Sequence, residues 1–160
     1  MEAIQNKIGK IFLMMSLLIV WIAAGGGSVH AEETQDTTPP VIYSFTPADN
    51  TVIGGKAATI SAEARDVGGS GVVKLVFQVS LDDAASWIDI GTLEGDQLKY
   101  NATYGSASGT LTWDVTAGVG GNGPLADGAY KFRVIAYDKA GNASNGTPVR
   151  VWRTDSTAPA

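Results

Sequence analysis

Apolar and polar residues alternate along the chain from Val41 onward, in short runs that Gly, Asn and Asp residues separate. The run AATISAEA (57–64) has Ala or Ile at every second position, with Thr, Ser and Glu between them. The runs VKLVFQVS (73–80) and GAYKFRVIAYD (128–138) alternate in the same way. A period of two residues predicts strands that turn one face to a core and the other to water.

The apolar positions of the runs at 73–80 and 128–138 predict which side chains form the core. We expect it to include Val73, Leu75, Phe77, Val79, Tyr130, Phe132, Val134 and Ala136. Shorter runs predict further strands at 41–47, 87–91, 98–104, 109–115 and 148–153. No run after residue 40 keeps a helical period. About seven to eight strands predict an all-β sandwich of two antiparallel sheets, each with three to five strands.

Residues 1–31 have the pattern of a secretory signal peptide. Two lysines precede an apolar run at 11–24, and the small-residue pattern of SVHA follows it. We expect cleavage after Ala31, and therefore a secreted, extracellular or cell-surface protein. The alternative is an uncleaved anchor, in which case the chain would meet a membrane only through this segment. The apolar run is shorter than the roughly 20 residues that span a bilayer.

The rest of the chain divides into a linker, a sandwich and the start of a second linker. Residues 32–40 are polar and end on two prolines, which is typical of an extended linker. The predicted strands occupy residues 41–154. The final residues DSTAPA (155–160) follow the same order as DTTPPV (36–41). We therefore expect residues 155–160 to begin a linker to a further domain.

The composition excludes several kinds of chemistry. The chain has no cysteine and one histidine, His30, which lies in the predicted signal peptide. A mature chain without Cys and His has no Ser-His-Asp or Cys-His nucleophile, no histidine-bound zinc and no thiol chemistry. The net charge of -5 disfavours nucleic acid as a partner.

Paired carboxylates leave one hydrolytic alternative, because glycosidases use two of them. Asp82 with Asp83 and Glu94 with Asp96 are such pairs, but each pair lies in a predicted short turn. A catalytic acid of raised pKa needs an apolar wall around it, and the pattern predicts no such cleft. We therefore expect no catalytic residue and no enzyme activity.

Three motifs resemble those of bacterial immunoglobulin-like and fibronectin type III-like repeat domains of secreted or cell-surface proteins. They are LADGAYKFRVIAYDKAGN (125–142), ARDVGGSGV (64–72) and DTTPP (36–40). The resemblance implies a two-sheet antiparallel sandwich, with the fibronectin-like topology preferred because the Cys pair of antibody domains is absent. It also implies a tyrosine corner, in which the Tyr130 hydroxyl bonds to the backbone between Leu125 and Asp127.

SLDDAASW (80–87) nearly matches the Asp-box of sialidase-type propellers, with Ala84 where that motif has glycine. The motif repeats from blade to blade in a propeller, whereas it occurs once here. We interpret it as a hairpin connection that Asp82 caps and that Trp87 closes by packing on the sheet. The predicted structural residues are therefore Tyr130, Trp87, Phe77 and Leu125.

Polar residues at the ends of predicted strands and in the linkers form a candidate calcium site. Calcium takes six to eight oxygen ligands from carboxylates, amides and backbone carbonyls of flexible loops. The candidate ligands are Asp36, Asp66, Asp138, Asn142 and Asp155. The resemblance implies calcium between consecutive domains of some related repeats, held by linker aspartates. The alternative is that each side chain caps its own turn. No other cofactor is expected.

Aromatic residues in the short strands form a candidate ligand-binding surface. Trp113, Trp152, Tyr100 and Tyr104 are predicted to stack against sugar rings if they are exposed. The alternative is that they belong to the core or to the rim of the sheets.

These patterns predict a non-catalytic extracellular module, a structural spacer or adhesion domain of a bacterial surface or secreted multidomain protein. Its expected partners are neighbouring immunoglobulin-like domains or other extracellular proteins and glycans. The alternative function is a carbohydrate- or protein-binding accessory module of an extracellular carbohydrate-active enzyme.

Overall fold

The computed structural model describes residues 35–145 and 148–155. Within them lie nine strands: β1 (Val41–Thr46), β2 (Val52–Gly54), β3 (Ala58–Arg65), β4 (Val72–Ser80), β5 (Ile88–Glu94), β6 (Lys99–Asn101), β7 (Ser106–Trp113), β8 (Gly128–Asp138) and β9 (Arg150–Asp155). Single 3-10 turns at Gly95–Gln97 and Val115–Ala117 follow β5 and β7. The predicted signal peptide and the residues after Asp155 lie outside the described part of the chain.

The strands form two sheets. The four-stranded sheet has the order β1-β3-β7-β6, and the five-stranded sheet has the order β2-β9-β8-β4-β5. Neighbouring strands are antiparallel except for β2 and β9, which are parallel. The predicted all-β fold of two sheets is confirmed for the described residues. The expectation of a wholly antiparallel pairing is wrong for β2, whose three residues are too few to show an alternating pattern.

Aromatic rings fill the centre of the sandwich. Trp152 of β9 stacks on Phe132 of β8 with ring centroids 4.5 Å apart, and Phe45 of β1 lies 5.1 Å from Trp152. Phe77 and Leu125, two of the predicted structural residues, are buried as well. Each fully buried aromatic or large aliphatic side chain stabilises a fold by about 1.5–3 kcal/mol. The sandwich therefore rests on apolar packing in a chain that has no cysteine.

The start of β4 departs from the predicted alternation. Val73 was expected in the core but is exposed, whereas Val72 is buried. The cause is a shift in the pairing of β4 with β8 between Val72 and Lys74. A bulge of this kind turns the following side chains to the other face, and strict alternation along the sequence does not reveal it.

Most predicted strands have somewhat different bounds in the structure, among them the runs at 98–104 and 87–91. The run predicted at 98–104 keeps only the three residues of β6, because a turn follows in which the Thr103 N–H donates to Asn101 Oδ1 (3.0 Å). The run predicted at 87–91 extends to Glu94, since β5 continues its pairing with β4 up to Lys74.

Strand β1 begins and strand β9 ends at opposite ends of the sandwich. Val41 pairs with Arg65, the last residue of β3, and β8 stops at this same end with Asp138. Strand β9 runs antiparallel to β8, so that Thr154 pairs with Gly128, the first residue of β8. We call the end with Val41, Arg65 and Asp138 the linker end and the end with Thr154 and Gly128 the far end.

Candidate metal centre

Three carboxylates from separate parts of the chain meet at the linker end. Asp36 precedes β1, Asp66 follows β3 and Asp138 is the last residue of β8. One oxygen of each side chain lies within 4.8 Å of an oxygen of the other two. We call these three side chains the aspartate cluster. Like charges at this separation repel one another, so the cluster needs a proton or a cation between its members.

The loop between β3 and β4 positions Asp66. Its Oδ2 accepts the Gly71 N–H at 2.6 Å, and its carbonyl oxygen accepts the Gly69 N–H at 3.3 Å. The loop folds tightly over the carboxylate, because a Cβ atom at position 69 would lie 2.2 Å from Asp66 Oδ1. Only glycine allows this approach of the backbone to the side chain. The glycines of ARDVGGSGV thus shape one wall of the cluster.

Asp36 binds the predicted linker to the sandwich. Its Oδ1 accepts the Thr38 N–H at 2.9 Å and its Oδ2 accepts the Ser70 N–H at 2.7 Å. Four residues further on, Pro40 is fully buried. Residues 36–40, predicted as an extended linker, therefore contact the linker end through Asp36 and Pro40, at the point where β1 begins.

Asn142 connects Asp138 to the same segment. Its side-chain N–H groups donate to Asp138 Oδ2 at 2.8 Å and to the Asp36 carbonyl oxygen at 3.2 Å. Its backbone N–H donates to Asp138 Oδ1 at 2.8 Å. The turn from Asp138 to Asn142 brings the Asn142 side chain back to Asp138, because Gly141 has a φ of 92°, a left-handed conformation that glycine adopts readily.

One oxygen of the cluster has no partner. Asp66 is 3% exposed, and its Oδ1 is buried without a hydrogen bond. Burial raises the pKa of Asp66, the Gly71 N–H opposes this, and the charges of Asp36 and Asp138 raise it further. In contrast, the pKa of Asp36 is lowered, chiefly by the N–H groups of Thr38 and Ser70. A buried anionic oxygen without a donor costs free energy that a bound cation would recover.

The donor set fits a hard cation. Carboxylate oxygens are the ligands that Ca²⁺ prefers, and each carboxylate keeps lone pairs beyond those its N–H donors use. Neither the ion pair of Arg65 with Glu63 nor that of Lys131 with Asp83 reaches the cluster. The structure thus brings together Asp36, Asp66 and Asp138 around one point, with Asn142 holding two of them in place.

Asp155, the fifth predicted ligand, does not belong to this centre. It lies in β9 at the far end, where its backbone pairs with Gly54 of β2. The strand order carries it to the end of the sandwich opposite Asp36, Asp66 and Asp138, so within this domain it is not a ligand of the aspartate cluster.

The predicted aromatic surface is wrong for the two tryptophans. Trp113 and Trp152 are 6% and 0% exposed and pack in the core. Tyr100 and Tyr104 are exposed, and so is Tyr43 of β1, which the sequence did not single out. The alternation of β7 and β9 places both tryptophans on inward positions, so the strand pattern itself contained this information.

The hairpin interpretation of SLDDAASW agrees with the contacts of Asp82. Its Oδ1 accepts the Ser86 N–H and the Ser80 hydroxyl, both at 2.8 Å, and its Oδ2 accepts the Ser86 hydroxyl. These bonds, with the Ser86 hydroxyl first, lower the pKa of Asp82 to about 2. Trp87 is half-buried and lies under the Arg133 guanidinium, whose Cζ is 4.1 Å from the ring.

Tyr130 makes the hydrogen bond expected of a tyrosine corner. Its hydroxyl donates to the Ala126 carbonyl oxygen at 3.1 Å, inside the stretch predicted from the sequence. The same carbonyl accepts the Thr154 hydroxyl at 2.9 Å. This carbonyl therefore joins the loop before β8 to the end of β9.

The chain is similar to several solved structures at low sequence identity. The chain aligns with PorU from Porphyromonas gingivalis, solved as the dimeric latent form, at a TM-score of 0.52 and 18% identity. That alignment covers 84% of this chain and 12% of the PorU chain. CopC from Methylosinus trichosporium OB3b aligns over 76% of this chain and 98% of its own at 12% identity and a TM-score of 0.38. A non-cellulosomal cohesin from Archaeoglobus fulgidus aligns over 74% and 93% at 14% identity and a TM-score of 0.28.

No protein-family model matches the chain, and no curated protein matches its sequence. The strands and the two sheets define the class of fold: the described residues form a two-sheet β-sandwich, and the alignment with PorU agrees with that fold. Across residues 35–145 and 148–155, no helix has the length and apolar character needed to cross a membrane.

Proposed function

We propose that this domain is a non-catalytic extracellular module that acts as a structural spacer or adhesion domain of a bacterial surface or secreted multidomain protein. The observation that supports this most directly is the placement of the linker end and the far end on opposite sides of the sandwich. Chain segments that leave from opposite ends join domains in series, with each domain adding its full length to the array.

The strand order supports an immunoglobulin topology over the fibronectin-like one. Antibody constant domains have one sheet of the order ABED and a second of the order CFG, which variable domains extend beyond C. The order β1-β3-β7-β6 corresponds to ABED, and β9-β8-β4-β5 corresponds to GFC with an added strand. The short strand β2 completes the second sheet by pairing in parallel with β9.

A calcium ion in the aspartate cluster would make the joint at the linker end rigid. Asp36 belongs to the linker, whereas Asp66 and Asp138 belong to the sandwich. An ion bound by all three cross-links the two parts, so the direction of the linker becomes fixed relative to the sheets. A stiff joint is what a spacer requires, because a flexible linker lets the domains fold back on one another.

Distance measurements between two spin labels test the proposal. The chain has no Cys, so Gln35→Cys in the linker and Ala129→Cys at the far end give one defined pair of labels. We expect a single narrow distance distribution in calcium and a broad one in EDTA. Asp36→Asn should broaden the distribution in calcium, whereas the control Asp96→Asn, in the turn after β5, should not.

The outcome separates the two parts of the proposal. A distribution that is narrow in both calcium and EDTA would support the spacer and reject the calcium joint. A distribution that stays broad in saturating calcium would reject the rigid spacer itself. Calorimetric titration of the full chain with CaCl₂ measures binding independently, and one site that Asp36→Asn weakens is expected.

A further inference from the structure

The outer face of the four-stranded sheet has an exposed pair of tyrosines around one arginine. Tyr43 of β1 is 62% exposed and Tyr104, in the turn before β7, is 53% exposed. The Arg65 guanidinium lies between them, with its Cζ 3.3 Å from the ring centre of Tyr43 and 5.2 Å from that of Tyr104. Large aromatic rings at such exposure are typical of contact surfaces.

Arg65 holds this pair in place. Its Nε donates to Glu63 Oε1 at 3.0 Å, and Glu63 and Arg65 lie two residues apart on the same face of β3. The guanidinium is therefore fixed at one side by a carboxylate and at its face by Tyr43. A ring whose position is fixed before binding loses less conformational entropy when a ligand stacks on it.

A polar groove continues from Glu63 across the same sheet. Its volume is about 380 Å³, and hydroxyl and amide side chains form most of its lining. The side chains are those of Ser44, Ser61, Glu63, Gln97, Lys99, Ser108 and Thr110. Strand pairing arranges these side chains in rows across the sheet: Ser61 lies opposite Thr110, and Glu63 lies opposite Ser108. We call the groove and the Tyr43–Arg65–Tyr104 group together the tyrosine groove.

The groove extends across several strands and has more than one row of donors and acceptors. Ser108 pairs in turn with Lys99 of β6, so Glu63, Ser108 and Lys99 form one row across three strands. Neighbouring strands lie about 4.8 Å apart, so this row is about 10 Å long. The row through Ser61 and Thr110 lies two residues further along β3, which is about 7 Å away. A row of this length is longer than a single sugar ring, so it suits linked rings better than one ring.

The chemistry of the groove points to a sugar chain. A pyranose ring has an apolar C–H face that packs on an aromatic ring, and hydroxyl groups at its rim that both donate and accept hydrogen bonds. Ser and Thr hydroxyls and the Gln97 amide also donate and accept, which matches those groups. A nucleic acid would need many cations along its backbone, and a chain of net charge -5 opposes it.

The charges of the groove favour an uncharged sugar. Arg65 and Glu63 neutralise each other, which leaves Lys99 on the short edge strand β6. Lysines on edge strands commonly prevent pairing with other chains, which explains Lys99 without a charged ligand. We propose that the tyrosine groove binds an uncharged polysaccharide chain, with its rings stacked on Tyr43 and Tyr104 and its hydroxyls bonded to the Ser and Thr side chains. This proposal does not depend on calcium or on the spacer role.

Affinity electrophoresis of the full chain tests the proposal. The gels contain hydroxyethylcellulose, mixed-linkage β-glucan, starch or mannan as uncharged probes, and polygalacturonate and single-stranded DNA as charged ones. We expect at least one uncharged polysaccharide to retard the protein. Tyr104→Ala should weaken that retardation at least tenfold, because the ring has half its surface exposed for stacking.

Tyr100→Ala is the matched control. Tyr100 is also exposed, but it lies opposite the inward-facing Ala107 and lines a separate cavity with Val72 and Val73. Its removal should leave the retardation unchanged, and thermal melts of both variants should show that the fold is kept. Retardation by the charged probes alone, by none of the probes, or an equal loss in both variants would overturn the proposal while leaving the spacer role intact.

Discussion

Two turns at opposite ends of the sandwich shift the pKa of their aspartate in opposite directions. Asp82, at the far end, accepts hydrogen bonds from Ser80 and Ser86, and its pKa is lowered to about 2. Asp66, at the linker end, has one oxygen without a partner and a raised pKa. In the first turn, the protein itself supplies hydrogen-bond donors for both carboxylate oxygens of Asp82. In the second turn, the unpaired oxygen of Asp66 gains a partner only when a proton or a cation binds there.

Asp82 has hydrogen-bond partners for both carboxylate oxygens within its own turn, whereas Asp66 keeps one buried oxygen without a partner. Both residues follow the end of a strand in a segment rich in Gly or Ser, and both fit the turn chemistry expected of Asp. What differs is the neighbourhood: Ser hydroxyls and N–H groups surround Asp82, whereas two carboxylates face Asp66.

Calcium should stabilise the wild-type protein strongly and leave Asp66→Asn unchanged. At 100 times its Kd, a ligand of one site adds about 2.7 kcal/mol to the free energy of unfolding. For a domain of this size that is a rise in Tm of roughly 10 °C. The asparagine removes the buried charge, so in EDTA the variant should melt at or above the wild-type temperature. Scanning calorimetry in CaCl₂ and in EDTA measures both effects.

The matched control for this experiment is Asp82→Asn. It should lower the Tm by the same amount in CaCl₂ and in EDTA, because Asp82 lies at the far end and takes no part in the aspartate cluster. An equal calcium shift in wild type and Asp66→Asn would contradict the assignment of the cluster as the binding site.

Gly69→Ala should disturb the aspartate cluster through the backbone. The added Cβ would lie 2.2 Å from Asp66 Oδ1, so the loop must move away from the carboxylate. Overpacking of this kind costs about 1–3 kcal/mol, and we expect calcium affinity to fall at least tenfold in a calorimetric titration. Gly123→Ala is the control, since its Cβ meets no atom within 4 Å. Similar affinities for the two variants would show that the loop is not tightly fitted to Asp66.

Most of the fold follows from local rules that the sequence displays directly. Strand β8 has its predicted bounds at 128–138 because its alternation is long and ends at clear turn residues. The exceptions depend on distant pairing: β2 is a strand only because β9 lies beside it, and Val73 is exposed only because of a bulge against β8. Neither feature has a signal in a single stretch of sequence.

The sequence predicted which kinds of residue form the candidate site, but not which of the candidates lie together. The sequence placed Asp36, Asp66, Asp138 and Asn142 beside the ends of strands, and the strand order brings them to the same end of the sandwich. Asp155 resembled Asp36 in its local sequence, yet the order of the strands places it at the far end. Tyr43 was missed because it occupies a strand beside a register shift, and its role depends on Arg65 from another strand.

The two turns should also respond oppositely to pH in EDTA. Asp82 has a folded pKa of about 2, below the value of 3.8 of the unfolded chain, so its stabilisation is present above pH 3.8 and is lost as the pH falls toward 2. Asp66 has a raised folded pKa, so its contribution is complete below pH 3.8 and is lost as the pH rises through that folded pKa. Urea unfolding between pH 2 and pH 7 measures both.

Two variants isolate these contributions. The advantage of wild type over Asp82→Asn should be present at pH 7 and disappear near pH 2. The stability of wild type relative to Asp66→Asn should decrease as the pH rises from 4 to 7. Identical pH profiles for the two variants would refute the contrast between the turns. Calcium should remove the second effect, because the ion replaces the proton in the aspartate cluster.

The smallest expected effect concerns the backbone of the Asp82 turn. Ala84 has a φ of 75°, a left-handed conformation that costs a residue with a Cβ about 1–2 kcal/mol. Glycine removes this strain but has more freedom to lose on folding, so Ala84→Gly should stabilise the protein by about 0.5–1 kcal/mol in urea unfolding. Ala85→Gly is the control. Ala85 has no positive φ, so this substitution should lower the stability of the protein. If both glycines destabilise alike, the turn does not hold Ala84 in the left-handed region. Calcium affinity should be the same in both variants, since this turn completes its own hydrogen bonds at the end of the sandwich away from the aspartate cluster.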